Sequence, residues 1–248
     1  MKRNLRCIGF SILITLSFVF GIGVLSSIGM IVVANSLEHV ALISGIAQAL
    51  YLLLVILVFK VKKIDIQNTY KLKTVPFKVY LLPVITAFCF SAFSNIAQTV
   101  APIPQRLIGG MSGDMEKSIA AFVLSIFFVA PIVEEFVFRA LIMTKLCKEV
   151  STVTAIIISA ILFASIHIMA GGIITAVHAF FGGLIFALSY VKSKSLFPAV
   201  AAHIFGNIGG CVPTITNSLP VSIQYVAAFV FLTAAIVFYV ILTRKKEN

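Results

Sequence analysis

Eight apolar runs, most of them close to twenty residues long, alternate with short polar connectors along the chain. A membrane-crossing helix needs about 20 predominantly apolar residues. By that measure the pattern predicts spans at 8–34, 40–59, 79–101, 118–143, 153–170, 173–191, 196–211 and 222–243. The seventh is short and the fourth carries charges. The expected fold is an all-α, polytopic membrane helix bundle of about eight transmembrane helices, one integral membrane domain over residues 1–248. Between the runs lie connectors, with no repeat, low-complexity segment or soluble module.

The first run follows "MKRNLR", an opening that resembles a secretory signal. A cleavable signal has a shorter apolar core and a small-residue cleavage site, so this run reads as an uncleaved first span.

Composition supports the membrane reading: 60% of residues are hydrophobic and only 11% are charged, more apolar than a soluble domain needs. The charge balance is basic, 19 Lys+Arg against 8 Asp+Glu. In a soluble chain that would raise nucleic acid as a partner. Here the cations lie in short blocks between apolar runs, where they act as topology signals facing an anionic leaflet, so the bilayer is the expected partner and nucleic acid is not. With the N-terminus in the cytoplasm, the cytoplasmic segments hold Lys2, Arg3 and Arg6, then Lys60, Lys62, Lys63, Lys71, Lys73 and Lys78, then Lys145 and Lys148, Lys192 and Lys194, and Arg244, Lys245 and Lys246. Those are 16 of the 19 basic residues; Arg106 and Lys117 fall outside, and Arg139 lies within an apolar run. Both termini are therefore expected in the cytoplasm of a cell with this multi-pass protein in its membrane. Cys7, Cys89, Cys147 and Cys211 show no CxxC or metal-type spacing and read as small apolar residues.

One run breaks the pattern. "APIVEEFVFRAL", Ala130 to Leu141, puts Glu134, Glu135 and Arg139 at bilayer depth, where each charge costs about 2.5–3.5 kcal/mol on insertion scales. Arg139 lies four residues after Glu135, on the same helical face, so that pair neutralises itself. Glu134 is left on a neighbouring face. Pro131 weakens the backbone hydrogen bonding just before it. Two plain readings compete with a functional one: a structural ion pair that fixes helix packing, or an amphipathic surface helix over 134–148 after a break at Pro131.

Two later runs carry marked residues at helical spacing: Phe163 with His167 in "FASIH", and His203 with Asn207 in "HIFGN". A lone histidine in an apolar helix is most often a satisfied packing residue. Two of them, each one turn from a second marked residue, are a different matter. His39 falls in the first outer loop, and His178, in "AVHAFFGG", has no partner at helical spacing and reads as packing. Glu134 and His167 are nearly equidistant from a turn near Val150–Ser151, so an antiparallel hairpin brings them to one depth. His203 sits about eight residues into its span, and His167 near the outer end of its own, a depth difference of roughly 10 Å at 1.5 Å per residue. Tilt, a half-helix or an unwound "MAGG" turn would close that gap.

A carboxylate and an imidazole can share the deprotonation of a water. A second imidazole and a carboxamide can donate hydrogen bonds to the oxyanion of a tetrahedral intermediate. Glu134, His167, His203 and Asn207 thus suffice for peptide-bond hydrolysis without a covalent intermediate, with Arg139 holding Glu135. Glu134, His167 and His203 also meet the ligand count of a hydrolytic Zn site with water in the open position; against it, HExxH is absent and Asn is a poor zinc ligand. A transporter would use the same groups as proton relays, but no inverted repeat or pair of broken helices is visible.

Glu134-Glu135-x-x-x-Arg139, Phe163-x-x-x-His167 and His203-x-x-x-Asn207, in that order on membrane spans, resemble the three motifs of the CAAX protease and bacteriocin-processing family, also called the Abi family. The resemblance covers about residues 118–211. It implies a fold similar to the Ras-converting CAAX endopeptidase, a glutamate-dependent intramembrane protease with eight helices. It further implies Glu134 and His167 as water activators, His203 and Asn207 as the oxyanion site, and Glu135, Arg139 and Phe163 as supports. No cofactor is implied, and the partner is a membrane-bound peptide or protein substrate. Many bacterial members have no prenylated proteins to cut; their proposed roles are maturation of peptide pheromones or bacteriocins, and self-immunity. A non-catalytic membrane immunity or regulatory protein therefore stays as the alternative. The small size and lysine-rich loops suit a Gram-positive bacterium.

Overall fold

The computed structural model describes residues 2–32, 40–101 and 119–244, and among these there is helix and no strand. Of the helices, seven are long and apolar enough to cross a membrane, and an eighth apolar helix is shorter. In chain order they are α1 (Lys2–Val32), α2 (Val40–Val61), α3 (Lys78–Val100), α4 (Ile119–Leu146), α5 (Thr152–Ile168), α6 (Gly171–Ser193), α7 (Phe197–Gly209) and α8 (Val221–Arg244). The protein is an all-α multi-pass membrane protein. Residues 33–34 of the first expected span, residue 118 of the fourth, and His39, Arg106, Lys117, Lys245 and Lys246 lie outside the described residues.

The short helix is the fifth run, not the seventh. A further short helix, Pro213–Thr216, lengthens the seventh, so that the apolar stretch reaches from Phe197 to Thr216. The fifth starts cleanly at a serine cap, Ser151 Oγ accepting from the Thr154 amide at 3.1 Å. It is cut short at "MAGG": Gly171 has φ −148° and ψ 16°, and Gly172 has φ 71° and ψ −170°. The second pair of angles is reserved for glycine in practice, so the sequence leaves the helix there and re-enters it at once. The chain doubles back. A methyl group on Gly183 would stand 3.2 Å from the Ala160 Cα and 3.3 Å from a Phe163 ring carbon, so α5 and α6 form a tight antiparallel hairpin around the double glycine.

The chain divides into two compact units, Met1–Leu72 with Met111–Ala155, and Lys73–Gly110 with Ile156–Asn248. In the first, α4 packs on α1 and α2. Phe18 of α1 meets Tyr51 of α2 edge-on at 5.3 Å and Phe138 of α4 at 5.9 Å. The Tyr51 hydroxyl is satisfied by Ser17 at 2.9 Å. Tyr70, in the connector after α2, stacks on Phe59 and meets Phe136 of α4 edge-on. The other faces of α1 and α2 expose Leu13, Phe20, Ile31 and Leu54, as lipid-facing helices do.

In the second unit α3 packs against both α7 and α8. The approach of α7 is close enough that a Cβ on Gly209 would collide with the Phe88 carbonyl oxygen. Small residues at such contacts let membrane helices draw together where no hydrophobic driving force acts between them. Below α7, the Ser195 hydroxyl donates to the Lys73 carbonyl and ties the α6–α7 turn to the segment that leads into α3.

Candidate active site

The ionisable stretch of the first unit lies on a helix that is not α-helical throughout. Residues Ser125–Val129 form one π-helical turn and Phe136–Met143 a longer one, with α-helix over Ala130–Glu135 between them. Pro131 has no N–H to donate to the turn before it, and the preceding π turn is closed by the Ala130 amide bonding to the Ser125 carbonyl. Every residue from Glu135 to Met143 is buried, which excludes the reading of 134–148 as a surface helix.

Arg139 Nε stands 3.1 Å from Glu135 Oε2, and both side chains are fully enclosed. The i,i+4 pair expected from the sequence is present. Arg139 also lies within electrostatic reach of Glu134, so the spacing argument that gave Arg139 to Glu135 alone was too narrow. The i→i+5 bonding over Phe136–Met143 widens the turn that carries Arg139. Glu134 itself is half-buried.

In the second unit Phe163 is the hub. Its ring lies 4.6 Å from the His167 imidazole and 5.6 Å, edge-on, from that of His203. Phe186 of α6 stacks on the His203 imidazole at 4.6 Å and 16° and meets Phe163 edge-on at 6.2 Å. The two motif histidines, from α5 and α7, are therefore neighbours through one ring. His203 is buried; His167 and Asn207, one turn after His203, are half-buried.

The orientation of His167 follows from its bond. Nδ1 lies 2.8 Å from the Phe163 carbonyl oxygen. A carbonyl only accepts, so Nδ1 carries the hydrogen, and in the neutral ring Nε2 is left as an acceptor.

A third histidine joins this group. His178 of α6 has Nδ1 2.8 Å from Ser94 Oγ and Nε2 3.3 Å from Ser91 Oγ, both on α3, with the Phe90 ring at 5.1 Å. It lies within electrostatic reach of both His167 and His203. Sequence spacing assigned it to packing, because its partners come from another helix. Phe186, Ser91 and Ser94 were missed for the same reason; the visible signal was the pair of serines in the apolar run "FCFSAFSN". Within neither unit do three His, Cys, Asp or Glu side chains among the described residues converge as metal ligands would.

Residues 116–209 match the family model described as Rce1-like, type II CAAX prenyl endopeptidase Rce1-like. No curated protein and no solved structure matches the chain.

Proposed function

From a multi-pass chain that carries a domain of the type II CAAX prenyl endopeptidases, a protease family, we propose a glutamate-dependent intramembrane endopeptidase that hydrolyses a peptide bond of a membrane-associated peptide or protein. The observation that carries this reading is the pair of motif imidazoles, His167 and His203, packed on the one Phe163 ring with Nδ1 of His167 tied to a backbone carbonyl. That tie presents Nε2 as a base.

In the proposed reaction, the Glu134 carboxylate and His167 Nε2 share removal of a proton from water. The water oxygen attacks the scissile carbonyl carbon. The resulting oxyanion is held by an N–H of His203 and the carboxamide of Asn207. Collapse breaks the C–N bond, and the proton held by the Glu134–His167 pair passes to the departing amine. Glu135 and Arg139 support the helix that carries Glu134, and the aromatic pair Phe163 and Phe186 fixes the plane of His203. No group outside the chain is required by this scheme.

The ends of the helices support an orientation for this reading. Lys60, Lys145, Lys192 and Arg244 lie in the last turns of α2, α4, α6 and α8. Cations there suit both the negative end of the helix dipole and a cytoplasmic exit, so both termini belong in the cytoplasm.

The test uses the full chain in lipid nanodiscs with membrane-tethered peptides, prenylated and unprenylated, and mass spectrometry of the products. Glu134→Ala, His167→Ala and His203→Ala each abolish cleavage while the protein still accumulates in the membrane. Cleavage at the wild-type rate by Glu134→Ala ends the proposal, and variants that stay inactive yet retain a cellular phenotype point to a non-catalytic membrane role instead.

A further inference from the structure

The motif residues do not account for the polar side chains of α3. Ser91, Ser94, Asn95 and Gln98 recur at helical spacing on one face of an otherwise apolar helix. Polar groups inside a membrane face the protein interior and find partners there. Here the partner is His178. Both of its ring nitrogens meet hydroxyls of α3, Nδ1 at Ser94 and Nε2 at Ser91. Gln98 Nε2 in turn reaches the Ser94 carbonyl oxygen at 3.2 Å and its hydroxyl at 3.4 Å. Asn95 Nδ2 donates to the Ser91 carbonyl at 2.9 Å.

This chain of bonds abuts the helix of the third motif. A methyl on Gly206 would stand 3.5 Å from Ser91 Oγ and 3.7 Å from the Phe186 ring, and one on Gly210 would stand 3.4 Å from Asn95 Nδ2. Gly206 and Gly210 are the residues one before and three after Asn207. The polar face of α3 therefore runs beside the turn of α7 that presents His203 and Asn207, and His178 ties that face to α6, whose Phe186 stacks on His203.

We infer that His178, clamped between Ser91 and Ser94, is a positioning residue of the site: it fixes α3 and α6 around α7 and so sets where His203 and Asn207 point. The clamp has a chemical advantage over an apolar contact. A hydroxyl donates or accepts, so two serines satisfy either neutral tautomer of one imidazole, and the contact is directional where van der Waals packing alone would let the helices slide. Displacements on the order of 1 Å at such a site cost up to about a hundredfold in rate. The inference rests on the protease reading for its kinetic consequence, but its geometry belongs to the second unit alone.

The experiment compares His178→Phe, His178→Gln, Ser91→Ala and Ser94→Ala in nanodiscs, by hydrolysis kinetics and by 15N spectra of labelled histidines. His178→Phe, which keeps a planar aromatic ring and removes both polar atoms, lowers kcat about ten- to a hundredfold with KM within about twofold. His178→Gln, which keeps a donor and an acceptor, recovers most of that loss, and Ser94→Ala falls between. In the spectra, Ser94→Ala moves the His203 ring resonances, although residue 94 is not one of the rings packed on it. A His178→Phe variant with wild-type kcat overturns the inference, as does equal loss in His178→Phe and His178→Gln. If the wild-type chain hydrolyses none of the peptides, the protease reading has failed by itself. The spectra then decide the clamp, and His203 resonances unmoved in Ser94→Ala overturn it.

Discussion

Nδ1 of His167 donates to the carbonyl oxygen of Phe163, four residues earlier on the same helix, across 2.8 Å. One bond thus sets both the ring plane and the tautomer, and it uses a carbonyl that lies near the end of α5. Substitutions at His167 separate these duties. His167→Ala removes the proposed base and is expected to lower the rate by about 10²–10⁴. His167→Asn, which can keep the bond to Phe163 and lacks Nε2, is as inactive as the alanine variant while its membrane accumulation matches wild type. Steady-state kinetics on a tethered peptide, with quantitative immunoblotting, checks both.

The Glu135–Arg139 pair yields a prediction about stability. Both groups are fully enclosed, so removing either takes away the nearest opposite charge from a buried ion. Breaking such a pair costs about 3–5 kcal/mol. Arg139→Met and Glu135→Gln singly lower the thermal midpoint and the steady-state level, and the double variant recovers most of the loss. A double variant no better than the worse single would show that the pair is not the unit that matters.

Gly209 and Gly206 make a matched comparison on α7. A methyl at Gly209 collides with the backbone of Phe88, and backbone cannot rotate away; at Gly206 the nearest atom, Ser91 Oγ, is at ordinary contact distance, 3.5 Å. Gly209→Ala therefore destabilises by about 1–3 kcal/mol through overpacking, and Gly206→Ala stays close to wild type. Thermal unfolding in detergent, read by the accessibility of the buried Cys89 on α3, distinguishes the two.

Gly172 is predicted to be irreplaceable for a conformational reason. Its φ of 71° and ψ of −170° cost a residue with a Cβ about 1–3 kcal/mol. Gly172→Ala lowers the thermal midpoint and, by loosening the hairpin that carries His167, lowers the hydrolysis rate as well. Unchanged melting in Gly172→Ala would contradict the backbone angles.

The sequence made the helices legible, because each apolar run of about twenty residues has few physical alternatives in a membrane. It also made the within-helix relations legible: Glu135 with Arg139, Phe163 with His167, and His203 with Asn207 are all one-turn spacings. Relations between helices were not. Nothing in the spacing says that His178 meets two serines some 84 and 87 positions away, or that Phe186 stacks on His203. The π turns were hidden too, since hydrogen-bond register within a helix leaves no periodic mark on an all-apolar run. The reach of Arg139 to Glu134 as well as Glu135 was likewise not visible from one-turn spacing.

The double glycine has a further consequence. Seventeen residues of α5 rise about 25 Å at 1.5 Å per residue, less than the roughly 30 Å of a bilayer's hydrocarbon. A helix of that length starting at one headgroup layer does not reach the other, and the turn at Gly171–Gly172 that follows it has irregular backbone, which hydrocarbon alone does not tolerate. Such a place is satisfied by protein or by water drawn down to it. The proposed reaction consumes water at every turnover, and His167 stands four residues before that turn. The two residues that fold the chain back thereby leave backbone amides and carbonyls for protein or water to satisfy about one helical turn from His167.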